Sequence, residues 1–305
     1  MVIAGVLFGT IVFGGQIFVN LGLSTYEISF FTTIFGFVLL PLVIFKREWK
    51  FRRSMISFFL VFGFLGAAIR LLQFGALALG APVAVVVLLL YTQPLWTVIF
   101  GRLFLQEEIT KNKIVAVVCV MLGVIAIVNP HSLVNMGGFF GATLALMGGI
   151  CLGGYVVWGR KGGLMRYHFI TTTFGYVTFT FLFLVISYPF VHLITQNPMI
   201  VRVDLRQPTI VWLYISLFVL VASLIPHASL FRGIQKVPAF NTGIILLLEP
   251  ICGSILAAVV LGQPLTFNMV LGGALILISN YLVIRAENQA ATRMVSRTIQ
   301  NSKPN

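Results

Sequence analysis

The sequence predicts an all-α integral membrane protein of ten transmembrane helices, arranged as two inverted five-helix repeats. Three observations carry this. The 305 residues are 59% hydrophobic and 9% charged, with a mean hydropathy of +1.05, where a soluble domain has about 25% charged residues. The apolar residues fall in runs of bilayer length, and the basic residues gather between the runs on one side. Similar short segments also recur in the two halves at nearly constant offsets, the mark of an internal repeat.

Runs of about 17 to 25 apolar residues cover 3–23, 26–45, 54–79, 83–105, 113–129, 136–158, 169–191, 209–231, 239–261 and 267–285. The first opens directly after Met1 with no basic region and no clear cleavage site, so it reads as a span rather than a signal peptide. The second runs into the basic stretch from Lys46 to Arg53, and the third ends before Pro82. The fourth carries Pro94 and closes on Gln106-Glu107-Glu108, and the fifth lies between Lys113 and Pro130. The sixth stops at Arg160-Lys161, the seventh starts near Thr171, and a polar segment from His192 to Gln207 leads to the eighth, which ends at Arg232. The ninth holds Leu248-Glu249-Pro250, and the tenth reaches Arg285, beyond which residues 286–305 form a polar tail.

Cytoplasmic loops are enriched in Lys and Arg, which makes charge a test of the count. With ten spans, one side collects Lys46, Arg47, Lys50, Arg52, Arg53, Arg102, Lys111, Lys113, Arg160, Lys161, Arg166, Arg232, Lys236, Arg285, Arg293, Arg297 and Lys303. The other side has Arg202 and Arg206, and Arg70 lies within a span. A miscounted span would scramble this bias, so both termini are expected in the cytoplasm and the protein in the cytoplasmic membrane. The net charge of +13 is explained by orientation and membrane lipids, and no nucleic-acid partner is expected because no basic face is clustered.

The repeat emerges from direct comparison. Thr32-Thr33-Ile34-Phe35-Gly36-Phe37-Val38 matches Thr171-Thr172-Thr173-Phe174-Gly175-Tyr176-Val177 at an offset of 139, as do Gly14-Gly15 and Gly153-Gly154. Pro82, Pro94 and Thr110 match Pro238, Pro250 and Thr266 at an offset of 156, which places a 17-residue insertion between the seventh and eighth spans. The expected units are residues 1–130 and 136–285. An odd number of helices per unit inverts the second relative to the first, and such pairs enclose a site near the midplane.

Glu249 lies in the middle of the ninth span, where an ionised side chain costs at least about 2.5 kcal/mol and should face a protein interior or a wet cavity. Arg70 and Gln93 lie about a dozen residues, or ~18 Å of helix, from the turn near residue 81. His227 and Glu249 stand equally deep in the second hairpin. The hairpins enter from opposite faces, so Arg70, Gln93, His227 and Glu249 are expected to converge as a substrate site. Phe74, Tyr91, Trp96, Tyr155 and Trp158 are candidate aromatic walls. The plainer reading makes Arg70 and Glu249 an internal ion pair and the aromatics packing residues. Trp49, Trp212 and Tyr214 read as interfacial anchors, and Gly5, Gly9, Gly149 and Gly153 as close-packing positions.

These residues resemble the drug/metabolite transporter superfamily, in particular its EamA-type members built from two five-helix repeats. The resemblance rests on the paired half-repeats with Pro94 and Pro250, on Leu248-Glu249-Pro250, and on Leu105-Gln106-Glu107-Glu108-Ile109-Thr110. The second-half counterpart Leu261-Gly262-Gln263-Pro264-Leu265-Thr266 lacks the Glu that members often carry, and Thr32 and Thr33 occupy the region of a common second-helix Arg. The resemblance implies a secondary transporter working by alternating access, and export as its direction. Arg suits a carboxylate and Glu an ammonium, so amino acids or similar amphiphiles are the expected cargo. The alternatives are a multidrug carrier of hydrophobic cations using Glu249, or, in another class, a lipid scramblase or intramembrane enzyme. HExxH, GxSxG and Walker-type motifs are absent, so no catalysis and no cofactor or metal is expected, and uphill transport must use a proton gradient or exchange.

The topology is open to direct test. A membrane-impermeant thiol reagent applied from outside should label a cysteine placed at Asn135 or Gln196 and spare one placed at Arg52 or Arg160. The reverse pattern would invert the assignment.

Overall fold

Hydrocarbon offers no water to bond a peptide group, so a spanning chain satisfies itself as helix. The computed structural model describes residues 1–34, 36–37, 53–79, 81, 86, 89–127, 136–261, 267, 270–272, 274–275, 278–279 and 281, and among them every regular element is helical. Besides the short helical pieces Arg53–Met55 and Pro198–Val201, these are in chain order α1 (Val2–Asn20), α2 (Thr25–Ile34), α3 (Ile56–Ala78), α4 (Gln93–Leu105), α5 (Lys111–Ile127), α6 (Met136–Leu164), α7 (Phe169–Ile194), α8 (Thr209–Ile234), α9 (Ala239–Leu246) and α10 (Leu248–Leu261). By length and composition α3, α7, α8 and the part of α6 from Phe140 are sufficient to cross a membrane. The ninth apolar run, expected as one helix, is interrupted at Leu247 and forms α9 and α10. In the tenth run the described residues are helical, while Trp49, the 131–135 segment and the tail after 281 lie outside the described residues.

The most extensive packing joins the first 127 residues to residues 136–261: α3 against α6 and α7, α1 along α10, α4 against α6, and α9 against α4. Because lipid is as apolar as leucine, such contacts depend on close van der Waals fit, and small residues provide it. A Cβ on Gly9 would stand 2.8 Å from the Glu249 carbonyl oxygen, and one on Gly5 2.8 Å from that of Ile245. On the opposite side of the bundle Gly149 meets the Leu89 and Leu90 carbonyls, and Gly153 meets Trp96. The free cysteines Cys119, Cys151 and Cys252 are half-buried in helices.

Two apolar clusters fill the bundle. One holds Phe58, Phe59, Phe62, Tyr155, Tyr176, Phe231 and Ile234; the other holds Phe18, Ile28, Phe31, Phe74, Leu77 and Ile215.

Two carboxylates of the first 127 residues, Glu27 and Glu107, hold main-chain N–H groups of residues 136–261. Ser24 and Glu27 form a reciprocal capping box at the start of α2: Glu27 N–H donates to Ser24 Oγ at 3.0 Å and Ser24 N–H to Glu27 Oε2 at 2.6 Å. The same fully buried carboxylate accepts Asp204 N–H at 2.8 Å and faces Arg202 at 3.5 Å. Ser24 Oγ donates to the Arg202 carbonyl, and Arg202 Nη2 to that of Gly22. The α7–α8 connection is thereby stitched to the α1–α2 turn.

At the other end Glu107 accepts Ala239 N–H at 3.0 Å, which places a negative charge on the first turn of α9, and stands 3.7 Å from Lys113. Arg160 donates to the last carbonyls of α8, Ile234 at 2.8 Å and Gln235 at 2.7 Å, and Gln235 donates to Tyr167 O.

Glu27→Ala would leave the Ser24 and Asp204 amides without an acceptor. The expected loss is about 3 kcal/mol, seen as a lowered melting temperature of the detergent-purified protein. Glu27→Gln, which keeps one acceptor, should fall between the two, and an unchanged melt of Glu27→Ala would remove this stitch from the account.

Candidate functional site

Proline has no N–H, so a helix that contains it leaves one carbonyl four residues earlier without its usual donor. Leu89 and Leu90 are helical, Tyr91 and Thr92 form a turn, and α4 begins at Gln93 with Pro94 in its first turn. In the second half α9 ends at Leu246, Leu247 forms the turn, and α10 opens with Leu248-Glu249-Pro250. The two breaks are 156 residues apart and each sets a polar side chain, Gln93 or Glu249, immediately before its proline. A third irregularity lies in α8, where the π-helical stretch Val219–Leu224 runs into Pro226 and His227. His227 Nδ1 lies 2.7 Å from the Ser223 carbonyl. A carbonyl only accepts, so Nδ1 carries a proton.

These irregular segments line one cavity of about 80 Å³. Arg70, Gln93, His227 and Glu249 all line it, together with Phe74, Tyr91 and Tyr155. Arg70 Nη1 donates to Thr32 Oγ1 at 3.1 Å, and Thr32 in turn donates to the Ile28 carbonyl at 2.7 Å. Gln93 Nε2 donates to Thr97 Oγ1 at 2.5 Å, and the Tyr91 hydroxyl stands beside the Glu249 carboxyl. Arg70 and Glu249 do not pair: among the described residues, which include both, the ion pairs within 4.0 Å involve Glu107 and Glu27. The cavity therefore presents a cationic wall on α3 and an acidic wall on α10, with aromatic rings between.

Two expected wall residues stand elsewhere. Trp96 lies one turn past the α4 break, so its indole N–H reaches back to Thr92 Oγ1 at 3.2 Å while its Cβ fills the notch at Gly153. Trp158 lies toward the end of α6, which continues to Leu164. Its N–H donates to the Phe58 carbonyl at 3.0 Å, its ring stacks on Phe58, and Lys161 sits 4.1 Å above it. Residues that the sequence reading did not select include Phe8 and Ile11 on α1, Gln73 on α3 and Tyr176 on α7. Tyr176 had a signal, since it replaces Phe37 in the repeated Thr-Thr segment. Its ring stacks on His227 with centroids 5.1 Å apart.

The EamA-like transporter family model matches residues 1–129 and 139–285. The chain belongs to the EamA-like transporter family. It is similar to an uncharacterised transporter of Clostridium kluyveri, 22% identical over 95% of this chain and 93% of the relative. An uncharacterised transporter of Archaeoglobus fulgidus is 23% identical over 92% and 94%. The uncharacterised transporter YyaM of Bacillus subtilis is 26% identical over 89% and 90%. A crystal structure with 16% identity shares the fold at a TM-score of 0.72, spanning 94% of this chain and 96% of that one. The protein is accordingly a multi-pass membrane transporter and not an enzyme.

The close approach of α1 to the α9–α10 break is testable. Gly9→Val must push α1 away from the Glu249 carbonyl, with an expected cost of about 1 to 3 kcal/mol and a loss of transport larger than the loss of folded protein. A variant with parental melting and parental transport would mean that the break tolerates a wider gap.

Proposed function

We propose that this EamA-family protein is a secondary transporter that carries small organic metabolites, amino acids or similar amphiphiles, across the cytoplasmic membrane by alternating access. The observation that supports it best is the cavity in which Arg70 and Glu249 line the wall without pairing. A static ion pair would satisfy both charges internally; two separated charges at depth call for a ligand that supplies the complement of each. A zwitterion does so, with its carboxylate on Arg70 and its ammonium on Glu249.

The reading includes ten spans in two inverted units. The equivalent breaks before Pro94 and Pro250 support the repeat, as does the reciprocal packing of α1 glycines on the α9–α10 break and α6 glycines on the α4 break. The sidedness is supported by charge. Arg102, Lys111, Lys113, Arg160, Lys161, Arg166, Arg232 and Lys236 belong to the Glu107 end and Arg202 and Arg206 to the Glu27 end, which makes the first end cytoplasmic. Export is the direction that the family resemblance favours, and a proton gradient or exchange supplies the energy.

The test is counterflow in proteoliposomes over a panel of radiolabelled amino acids, sugars and organic cations, followed by charge neutralisation on the best substrate. Each charge-assisted hydrogen bond contributes about 1.5 to 3 kcal/mol, so Arg70→Gln and Glu249→Gln should each lower transport by about 10- to 100-fold. The double variant should fold and stay inactive. A monodisperse double variant transporting at the parental rate would end the clamp, and preference for cations that lack a carboxylate, with Arg70→Gln fully active, would favour the hydrophobic-cation carrier.

A further inference from the structure

Among the described residues, two donors that line the cavity have no hydrogen-bond partner. Arg70 Nε and the Tyr155 hydroxyl are both buried without a hydrogen bond, and both side chains line the cavity. Tyr155 is 4% exposed. A buried donor without an acceptor carries its full desolvation cost, which makes two of them lining one cavity a feature that needs an explanation.

The surroundings hold the pair in place. Thr32 commits its proton to Ile28 O and therefore presents a lone pair to Arg70 Nη1, which fixes the roll of the guanidinium and leaves the Nε edge unengaged. Tyr176 flanks the same guanidinium. The Tyr155 ring is stacked on Phe62 at 5.1 Å and boxed by Tyr176, His227 and Phe231, so its hydroxyl has little freedom to seek another acceptor. That hydroxyl lies within electrostatic reach of both Arg70 and Glu249.

Resting on the transporter reading above, we infer that Arg70 Nε and the Tyr155 hydroxyl form a two-donor seat for one oxyanion of the cargo, a carboxylate, with Thr32 as the residue that positions Arg70. The seat assigns the orientation of the cargo: carboxylate toward α3 and α6, donor end toward Glu249 and Tyr91. A single guanidinium facing a carboxylate across the cavity suits a monoanion better than a phosphate dianion, whose second charge would be unmatched. Tyr155 becomes the specificity residue of the site. It also packs in the aromatic cluster with Phe58, Phe62, Phe231 and Ile234.

The hydroxyl can be removed with the ring kept. The melting temperature of the purified full-length protein is measured for the parent, Tyr155→Phe and Arg70→Gln. Each is tested alone and with leucine, isocaproate (leucine without its amine), isoamylamine (leucine without its carboxylate), acetate or inorganic phosphate. Without solute Tyr155→Phe should melt higher than the parent by about 2 °C, because an unpaired buried donor has been replaced by an apolar isostere. Leucine, isocaproate and acetate should raise the melting temperature of the parent more than phosphate does, and this rise should be lost in both variants. Any effect of isoamylamine should survive Tyr155→Phe. A lower melt of Tyr155→Phe without solute, a carboxylate effect that persists in it, or a parent indifferent to all three carboxylates would each overturn the seat. Isoamylamine counterflow in liposomes with no carboxylate effect would end the seat and leave the transport reading standing. Carboxylate binding with no counterflow of any probe would do the reverse.

Discussion

An unsatisfied polar group in hydrocarbon costs several kcal/mol, and this protein gathers several polar groups around one cavity inside its apolar runs. Pro94, Pro226 and Pro250 each withdraw a backbone donor from a helix within the apolar runs. At Pro94 and Pro250 the structure answers with turns, Leu95 N–H bonding Thr92 O at 3.0 Å and Leu247 N–H bonding Ile244 O at 3.0 Å, and before Pro226 with the π-helical stretch Val219–Leu224. Glycines of the neighbouring helices then bring backbone against these turns, which shields the loosened carbonyls from lipid. Irregular backbone is tolerated at this depth where protein or a cavity surrounds it, so the breaks and the cavity belong to one solution.

The same constraint separates the two charges. If Arg70 and Glu249 paired, the cavity would lose both its polar walls and its reason to be wet. They are instead held apart by local partners of different kinds, Thr32 for the guanidinium and the Tyr91 hydroxyl for the carboxyl. Neither partner neutralises a charge; each only orients it. A polarised apolar chamber results, and its strongest interactions remain available to whatever enters.

Much of this was legible in the sequence because bilayer physics writes in simple units. Span length, loop charge and distance from a hairpin turn sufficed to bring Arg70, Gln93, His227 and Glu249 to one depth, and the structure has all four around one cavity. Depth alone does not say which way a side chain faces. Trp96 and Trp158 were selected for their helices, but Trp96 is turned by its bond to Thr92 and Trp158 lies too near the end of α6. The break at Leu247 is half legible, since a proline such as Pro250 removes a backbone donor but does not say where the chain will yield. The Glu27 stitch went unread although Ser24-Thr25-Tyr26-Glu27 has the spacing of a capping box. A capping box predicts the bond between its own two ends, and nothing in it foretells that the second carboxylate oxygen reaches residue 204.

Two carboxylates outside the chamber tie the two parts of the chain together. Glu27 and Glu107 both belong to the first half, and each holds main-chain N–H groups of the second half, at Asp204 and Ala239. A backbone amide keeps no side-chain torsion of its own, so breaking either contact requires a whole segment to move: the α7–α8 connection at one end, the start of α9 at the other. The start of α9 is tied through eight residues of helix to the break at Leu247, and so to Glu249. On the alternating-access reading, release at the Glu107 end would move the acidic wall of the chamber, whereas release at the Glu27 end would move a connection that carries no cavity residue. On that reading the two ends of this bundle are unequal, because one contact is joined through α9 to Glu249 and the other is not.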